Sequence, residues 1–409
     1  MKILIVSNLY YPDHEGGAEK VARRTAEALA VKHDVLVLST MNNLNSHNED
    51  KISYKIKRVI YRNIYQYSIK QSSKSIFSRL IWHINNSING VDDKEIASIF
   101  KKFKPDVVYL HNSLAFVPQL TNYCNLNNIP ICLHLLYYSL ICSKTSMHKR
   151  GRNCRQQCMV CRTLTFPARY SIRTVKSVIA VSEYLKSRHQ KNNLFPNSKW
   201  HVVRNIENKE SALPLYKKKP KDNLTIKIGF IGAITPVKGI SNLIDSFISI
   251  DSLKLRLYIA GTGNTEYVNE LKAISQDYPI VWLGQVQPDE FYDDIDCLVV
   301  SSLWHEPQAL VIVEAINRGI PIIATRRGGN TEMVEIYKAG MLYEPDNKNE
   351  LKNILKKISN FTRHEWRSSI PSRYPGLTNA NQLAVNESKI YYKKIEKILV
   401  NSVTKIKYQ

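Results

Sequence analysis

Glu306-Pro307-Gln308-Ala309-Leu310-Val311-Ile312-Val313-Glu314, continued by Ala315-Ile316-Asn317-Arg318-Gly319-Ile320-Pro321 and then Gly328-Gly329-Asn330-Thr331-Glu332, decides how this chain is read. Two carboxylates flank a proline and an apolar run. Were the whole interval helical, they would stand about 12 Å apart along the axis. The pattern predicts instead that Glu306 lies in the loop before a helix and Glu314 about two turns inside it. Pro307 then takes the first helical position, where no backbone N–H is needed. Free N–H groups of such a first turn favour an anion. Carboxylates for hydroxyl groups on either side of a phosphate-binding turn suit a nucleotide sugar.

The rest of the chain supplies a scaffold of the right kind. Ile3–Ser7, Asp34–Ser39, Asp106–His111, Ile129–Leu136, Lys176–Val181 and Trp200–Val203 read as buried parallel strands. Gly16-Gly17 follows the first strand and opens a helix whose apolar side is Val21, Ala22, Thr25 and Leu29. A polar, proline-marked break falls at Leu213–Lys221. The rhythm restarts at Thr225–Ile231, Gly232–Gly239 and Leu255–Gly263. Alternation of strands and helices indicates α/β architecture with doubly wound parallel sheets. From about Asn379, Leu383, Ile390, Tyr391, Ile395 and Ile398 repeat at helical spacing.

The carboxylate pair resembles the E-x7-E motif of retaining glycosyltransferases of family 4 (glycosyl transferases group 1), and Gly328–Glu332 resembles that family's GG-x-x-E. The resemblance implies the GT-B fold: two Rossmann-like domains facing a cleft, with a C-terminal helix crossing back to the first. It places an acceptor-binding domain at 1–214, a nucleotide-sugar domain at 215–378 and the helical tail at 379–409. Glu306 would hold the donor sugar as a catalytic residue and Glu314 the ribose. Pro307, Gln308, Ala309 and Leu310 would line the donor between them, and Gly16 and Gly17 would approach its phosphates.

Two departures stand out. In the family loop that binds the diphosphate with an Arg and a Lys, Lys238 is present, but Ala233 occupies the Arg position; Arg326 or Arg327 is the candidate replacement. Pro130–Cys142 resembles a segment in which the family carries His-Asp, and Leu136-Tyr137 stand there instead. His134, two residues earlier, shares a strand face with that position. It reads equally as a substitute catalytic group or as packing. His111 resembles a second family position on the acceptor side, with the same two readings.

Cys142, Cys154, Cys158 and Cys161 have C-x11-C-x3-C-x2-C spacing. In a chain without an export signal this suggests either a structural zinc clip or reduced thiols. No cofactor is required for catalysis in the family resembled.

Charge bears on partners. The net formal charge is +23, and Lys144 to Lys191 contains twelve Lys or Arg opposed only by Glu183. That suits an anionic membrane surface and a lipid-linked or oligosaccharide acceptor. No recognition helix or stacking-aromatic motif supports nucleic acid. Apolar runs fall short of the roughly 18–20 residues that span a bilayer, so the expected location is cytoplasmic, peripheral on the inner face of the membrane. The expected activity is transfer of a hexose or N-acetylhexosamine from a UDP- or GDP-sugar in bacterial surface polysaccharide synthesis. A catalytically impaired donor-binding or scaffold subunit is the alternative.

Overall fold

A computed structural model describes residues 1–12, 16–41, 52–63, 76–111, 113–205, 224–250, 252–378 and 380–404. The expected linker at Leu213–Lys221, the 214/215 boundary and the tail's first residue Asn379 lie outside them. The chain forms two compact units. One comprises Met1–Met147, Cys154–Asn205 and Lys389–Gln409, the other His148–Asn153 and Ile206–Ser388.

The first unit is built on β1 (Lys2–Ser7), β2 (Asp34–Met41), β3 (Lys55–Ile60), β4 (Val107–His111) and β5 (Ile131–Leu135). Between them and the last two strands, β6 (His148–Lys149) and β7 (Arg152–Asn153) make a short antiparallel hairpin. β8 (Ser177–Ala180) and β9 (Lys199–Val202) complete the sheet, whose order is β3-β2-β1-β4-β5-β8-β9. Every pairing in it is parallel. Ile3, Leu4, Ile5 and Val6 are wholly buried, as a central parallel strand covered on both faces requires.

The second unit repeats the plan with β10 (Ile226–Ile231), β11 (Leu255–Ala260), β12 (Ile280–Gly284), β13 (Cys297–Val300), β14 (Ile322–Thr325) and β15 (Gly340–Tyr343). Their order is β12-β11-β10-β13-β14-β15, again all parallel. Asp296, at the foot of β13, is fully buried and accepts from the backbone N–H of Lys227 at 2.8 Å and from Arg367 Nε at 2.6 Å. This ties the helix Arg363–Arg373 to the centre of the sheet.

In each sheet the order reverses at one place, between β1 and β4 and between β10 and β13. Such switch points open a crevice beyond the strands' carboxyl ends, where α/β sheets bind ligands.

The last helix, Ala380–Thr404, belongs in its final turns to the first unit. Tyr391, Ile395, Ile398 and Leu399 are buried there. Glu396 pairs with His33 at 3.1 Å, and the Ser402 and Ser177 hydroxyls are 3.0 Å apart. Ile390, which the spacing placed on the apolar side, is exposed. Among the described residues no helix is long and apolar enough to cross a membrane.

Candidate active site

The switch point of the second sheet carries most of the residues singled out from sequence. After β10 the chain passes through Gly232 and Ala233 to a single 3-10 turn, Pro236–Lys238, and then the helix Ile240–Ile248. After β13 it runs through Ser301 and Ser302 to Glu306. These two loops meet: Lys238 Nζ lies 2.6 Å from Glu306 Oε1. The Ser302 hydroxyl donates to the same carboxylate oxygen, and the Ser301 hydroxyl to the carbonyl of Lys238 at 2.8 Å. Gly239 makes the approach possible. Its φ is +66°, and a Cβ there would sit 2.0 Å from the carbonyl oxygen of Ser301.

Gly328 does the same from the other side. With φ +63°, it brings its backbone so near that a Cβ would lie 2.2 Å from the carbonyl oxygen of Glu306. That carbonyl accepts from the N–H of Gly329 at 2.8 Å. Glu306 is therefore fixed through both its backbone and its carboxylate.

The helix after Glu306 spans Leu310–Ile316, so Pro307 lies in the loop and not at the first helical position. Asn330, from the next helix, is one cause: its Oδ1 accepts from the N–H of Ala309 at 2.9 Å, with Ala309 extended as N-cap. Glu314 consequently stands just past the first helical turn, nearer Glu306 in helical terms than the two turns expected. It is buried, and the Tyr292 hydroxyl donates to its Oε2 at 2.8 Å. Pro307, Gln308 and Ala309 are buried and Leu310 partly so. Gln308 Nε2 lies 3.2 Å from Met333 Sδ.

The candidate replacements for the missing Arg are, like Lys238, ion-paired in the structure. Arg327 pairs with Glu344 at 3.0 Å and Asp346 at 2.6 Å, and Arg326 with Glu335 at 3.3 Å. Ser302, Tyr292 and Asn330 are the residues that sequence reading passed over. Only Asn330, inside the Gly328–Glu332 stretch, had a signal that could have drawn attention to it.

In the first unit, Gly16 is the extended N-cap of the helix Gly17–Ala30, while Asp13, His14 and Glu15 are outside the described residues. His111 ends β4 and His134 lies in β5. The two rings are 5.0 Å apart at 82°. Tyr109 Oη is 2.6 Å from His134 Nδ1. Among the described residues, neither nitrogen of His111, nor Nε2 of His134, has a protein hydrogen-bond partner. Burial drives the His111 pKa down to about 3, and burial followed by the neighbouring His111 lowers that of His134 well below its usual value. Both imidazoles are neutral at physiological pH, which makes them poor proton acceptors but competent hydrogen-bonding groups.

The four cysteines are not drawn into one set. Cys142 is buried and Cys158 exposed. The Cys161 thiol donates to Cys142; with backbone N–H groups including that of Met147 at 3.3 Å, this outweighs burial and lowers the Cys142 pKa to about 6. Among the described residues no three His, Cys, Asp or Glu side chains gather as metal ligands.

Residues 215–369 match the family described as glycosyl transferases group 1, and residues 15–206 match glycosyltransferase family 4. The chain belongs to the GT-B glycosyltransferases of the family 4 type. A Klebsiella pneumoniae relative, an uncharacterized 42.6 kDa protein in the cps region, is 27% identical over 342 residues, covering 82% of this chain and 88% of its own. Anabaena HepE, solved in complex with UDP, superposes with a TM-score of 0.65 at 18% identity, covering 95% of this chain and 100% of that one. The lipopolysaccharide outer core galactosyltransferase WaaB in its apo form gives 0.63 at 15%, covering 98% and 99%. At these identities the solved structures establish the fold of the glycosyltransferase and not its donor.

Proposed function

We propose that this glycosyltransferase moves a hexose or N-acetylhexosamine, with retention, from a nucleoside-diphosphate sugar to a polysaccharide or lipid-linked glycan of the bacterial surface. The observation that carries the reading is the Lys238–Glu306 pair at the β10/β13 switch point. Without ligand, each neutralises the other. A donor diphosphate competes for Lys238, and the released Glu306 carboxylate turns to the sugar hydroxyls. Lys238 then stabilises the charge that develops as the nucleotide leaves, the contribution that preorganised cations make most efficiently. Glu314, steadied by Tyr292, takes the ribose hydroxyls. A uridine donor is supported by the UDP complex of the structural relative, and a surface-glycan acceptor by the cps-region relative.

His111 and His134 serve in this reading as neutral polar lining on the acceptor side. They are not exchangeable bases. With retention by front-face attack, no enzyme nucleophile is required.

Ala233 and Leu136-Tyr137, standing where the family has Arg and His-Asp, favour a second reading, a donor-binding subunit impaired in transfer. A thermal-shift panel of UDP- and GDP-sugars, followed by donor turnover with each hit, separates the two. The expected result is stabilisation by one donor that Glu314→Ala abolishes, with turnover once acceptor is supplied. Binding without turnover under any acceptor supports the impaired subunit. No binding by any donor overturns both.

A further inference from the structure

Two short helices of the first unit, Met159–Leu164 and Phe166–Ser171, present an unusual surface. Met159, Val160, Phe166 and Tyr170 are 75%, 61%, 57% and 55% exposed. Large exposed apolar residues elsewhere are mostly scattered, and single ones need no explanation. Here four fall within twelve residues. The helix Ile76–Asn89 packs beside Met159–Leu164 and exposes two more, Phe77 and Ile84, seven residues apart and so on one face. Apolar clusters rimmed by charge mark docking surfaces.

The sequence around the two short helices is cationic. No Asp or Glu occurs between Asp106 and Glu183. Arg155, Arg162 and Arg173 are exposed and Arg169 partly so. Among the described residues none of these four forms an ion pair, in contrast to Arg326 and Arg327 of the second unit. Their backbone and ring contacts give the surface a defined shape. Arg169 Nη2 donates to the carbonyl of Arg162 at 2.8 Å, joining the two helices. Arg173 lies 3.6 Å over the Tyr170 ring, which stacks with Phe166 at 5.9 Å.

We infer that this Arg-rimmed apolar surface docks the protein on an anionic phospholipid bilayer, with Met159, Val160, Phe166 and Tyr170 entering the headgroup–acyl boundary. Large apolar side chains backed by Arg are the chemistry of interfacial insertion, and lipid phosphates complement guanidinium groups that have no carboxylate partner among the described residues. A nucleic acid would need open aromatic faces for its bases. Arg173 already covers one face of the Tyr170 ring, Phe166 stacks with Tyr170, and Met159 and Val160 have no face to offer. The inference deepens the reading above, in which the acceptor stands at a lipid surface. Vesicle binding involves no sugar chemistry, so it can fail or succeed independently of donor binding.

The test is co-flotation of the full chain with phosphatidylcholine vesicles with and without phosphatidylglycerol. Binding is expected only with phosphatidylglycerol, weakening as salt rises. The variant Arg155→Gln/Arg162→Gln/Arg173→Gln should lower partitioning roughly a hundredfold. At unchanged charge, Met159→Ser/Phe166→Ser should lower it roughly tenfold. The charge-matched control Lys101→Gln/Lys102→Gln/Lys356→Gln should lose far less. Equal loss in that control would reduce the effect to net charge and overturn the inference. So would absence of binding to phosphatidylglycerol vesicles, or Arg-dependent binding to duplex DNA or RNA by a protein that ignores vesicles. Donor-induced thermal shift in each variant reports folding and keeps this result apart from that of the donor site.

Discussion

The two sheets carry the same switch point with opposite chemistry. Between β10 and β13 the strand ends hold full charges, and each is answered: Lys238 by Glu306, Glu306 also by Ser302, Glu314 by Tyr292. Between β1 and β4 they hold neutral polar groups, and several are unanswered by protein. Among the described residues, Asn8 Nδ2 and both nitrogens of His111 are buried without a protein partner, as are both amide atoms of Gln119 in the helix that follows β4. A diphosphate is worth binding only where charge is fixed in advance, because reorganising around it is costly. In the reading proposed above, the acceptor's sugar hydroxyls are uncharged, and neutral donors and acceptors suffice for them. Those groups cost stability until something satisfies them, so the first unit is the one that conditions should upset most easily.

Acid should expose that difference most strongly. His111 and His189 are held at about 3 and about 4 by burial, and His134 well below its usual value. All three belong to the first unit. In the unfolded chain each protonates near 6.5, while the folded protein refuses the proton. The unfolded state therefore binds more protons below pH 6.5, and stability falls as pH drops from there towards the folded values. Each histidine contributes about 1.4 kcal/mol per pH unit within its window. Hydrogen exchange between pH 7 and pH 4.5 should show β4 and β5 losing protection before β10 and β13. Simultaneous loss in both sheets, or earlier loss in the second, would erase the contrast.

Removing the charge at the other switch point should do less to the fold and more to the chemistry. Lys238→Ala leaves Glu306, whose side chain is 6% exposed, without its cation. Turnover of the donor should fall roughly 100- to 1000-fold. Because Lys238 is partly exposed, the stability cost should be only about 1 kcal/mol. Lys238→Arg should recover part of the activity, since charge matters there more than shape. Retained turnover in Lys238→Ala would remove the diphosphate role and with it the claim that the second switch point is built around charge.

How much of this could be read beforehand depends on whether a feature is local. Gly328 is legible because only glycine tolerates its positive φ and its closeness to Glu306. The central strands are legible because uninterrupted Ile, Leu and Val runs mean burial on both sides. β3 was not, since Lys55-Ile56-Lys57-Arg58 at a sheet edge has the composition of a solvated loop. Nor was the start of the helix after Glu306. Pro307 obeys a local preference, but Asn330, twenty-one residues on, claims the Ala309 N–H. The ion pairs of Arg326 and Arg327 were not legible either: Glu344 and Asp346 come beside them only once β14 and β15 pair, and Glu335 only through the helix Gly329–Ile336. The cysteine spacing is regular, yet spacing alone says nothing of which sulfurs meet.

Tyr292 offers the finest test of the contrast, because it answers a charge without carrying one. Its hydroxyl donates to Glu314 Oε2, its ring is buried, and the Arg318 guanidinium lies 4.6 Å from the ring centroid. Tyr292→Phe keeps the ring and its packing and deletes only that donor. The carboxylate remains buried and loses one hydrogen bond, worth about 1.5–3 kcal/mol when the acceptor is charged. If Glu314 is the ribose ligand, nucleotide binding should weaken roughly fivefold to tenfold, visible as a smaller thermal shift with UDP on top of a ligand-free melting temperature lowered by a few degrees. The loss should be the same for a nucleoside diphosphate as for its sugar conjugate, because the sugar is the business of Glu306. A variant that discriminated against the sugar conjugate alone would exchange the roles of the two carboxylates. One that lost stability without losing nucleotide would make Tyr292 and Glu314 a packing pair and leave Lys238–Glu306 as the whole of the charged site.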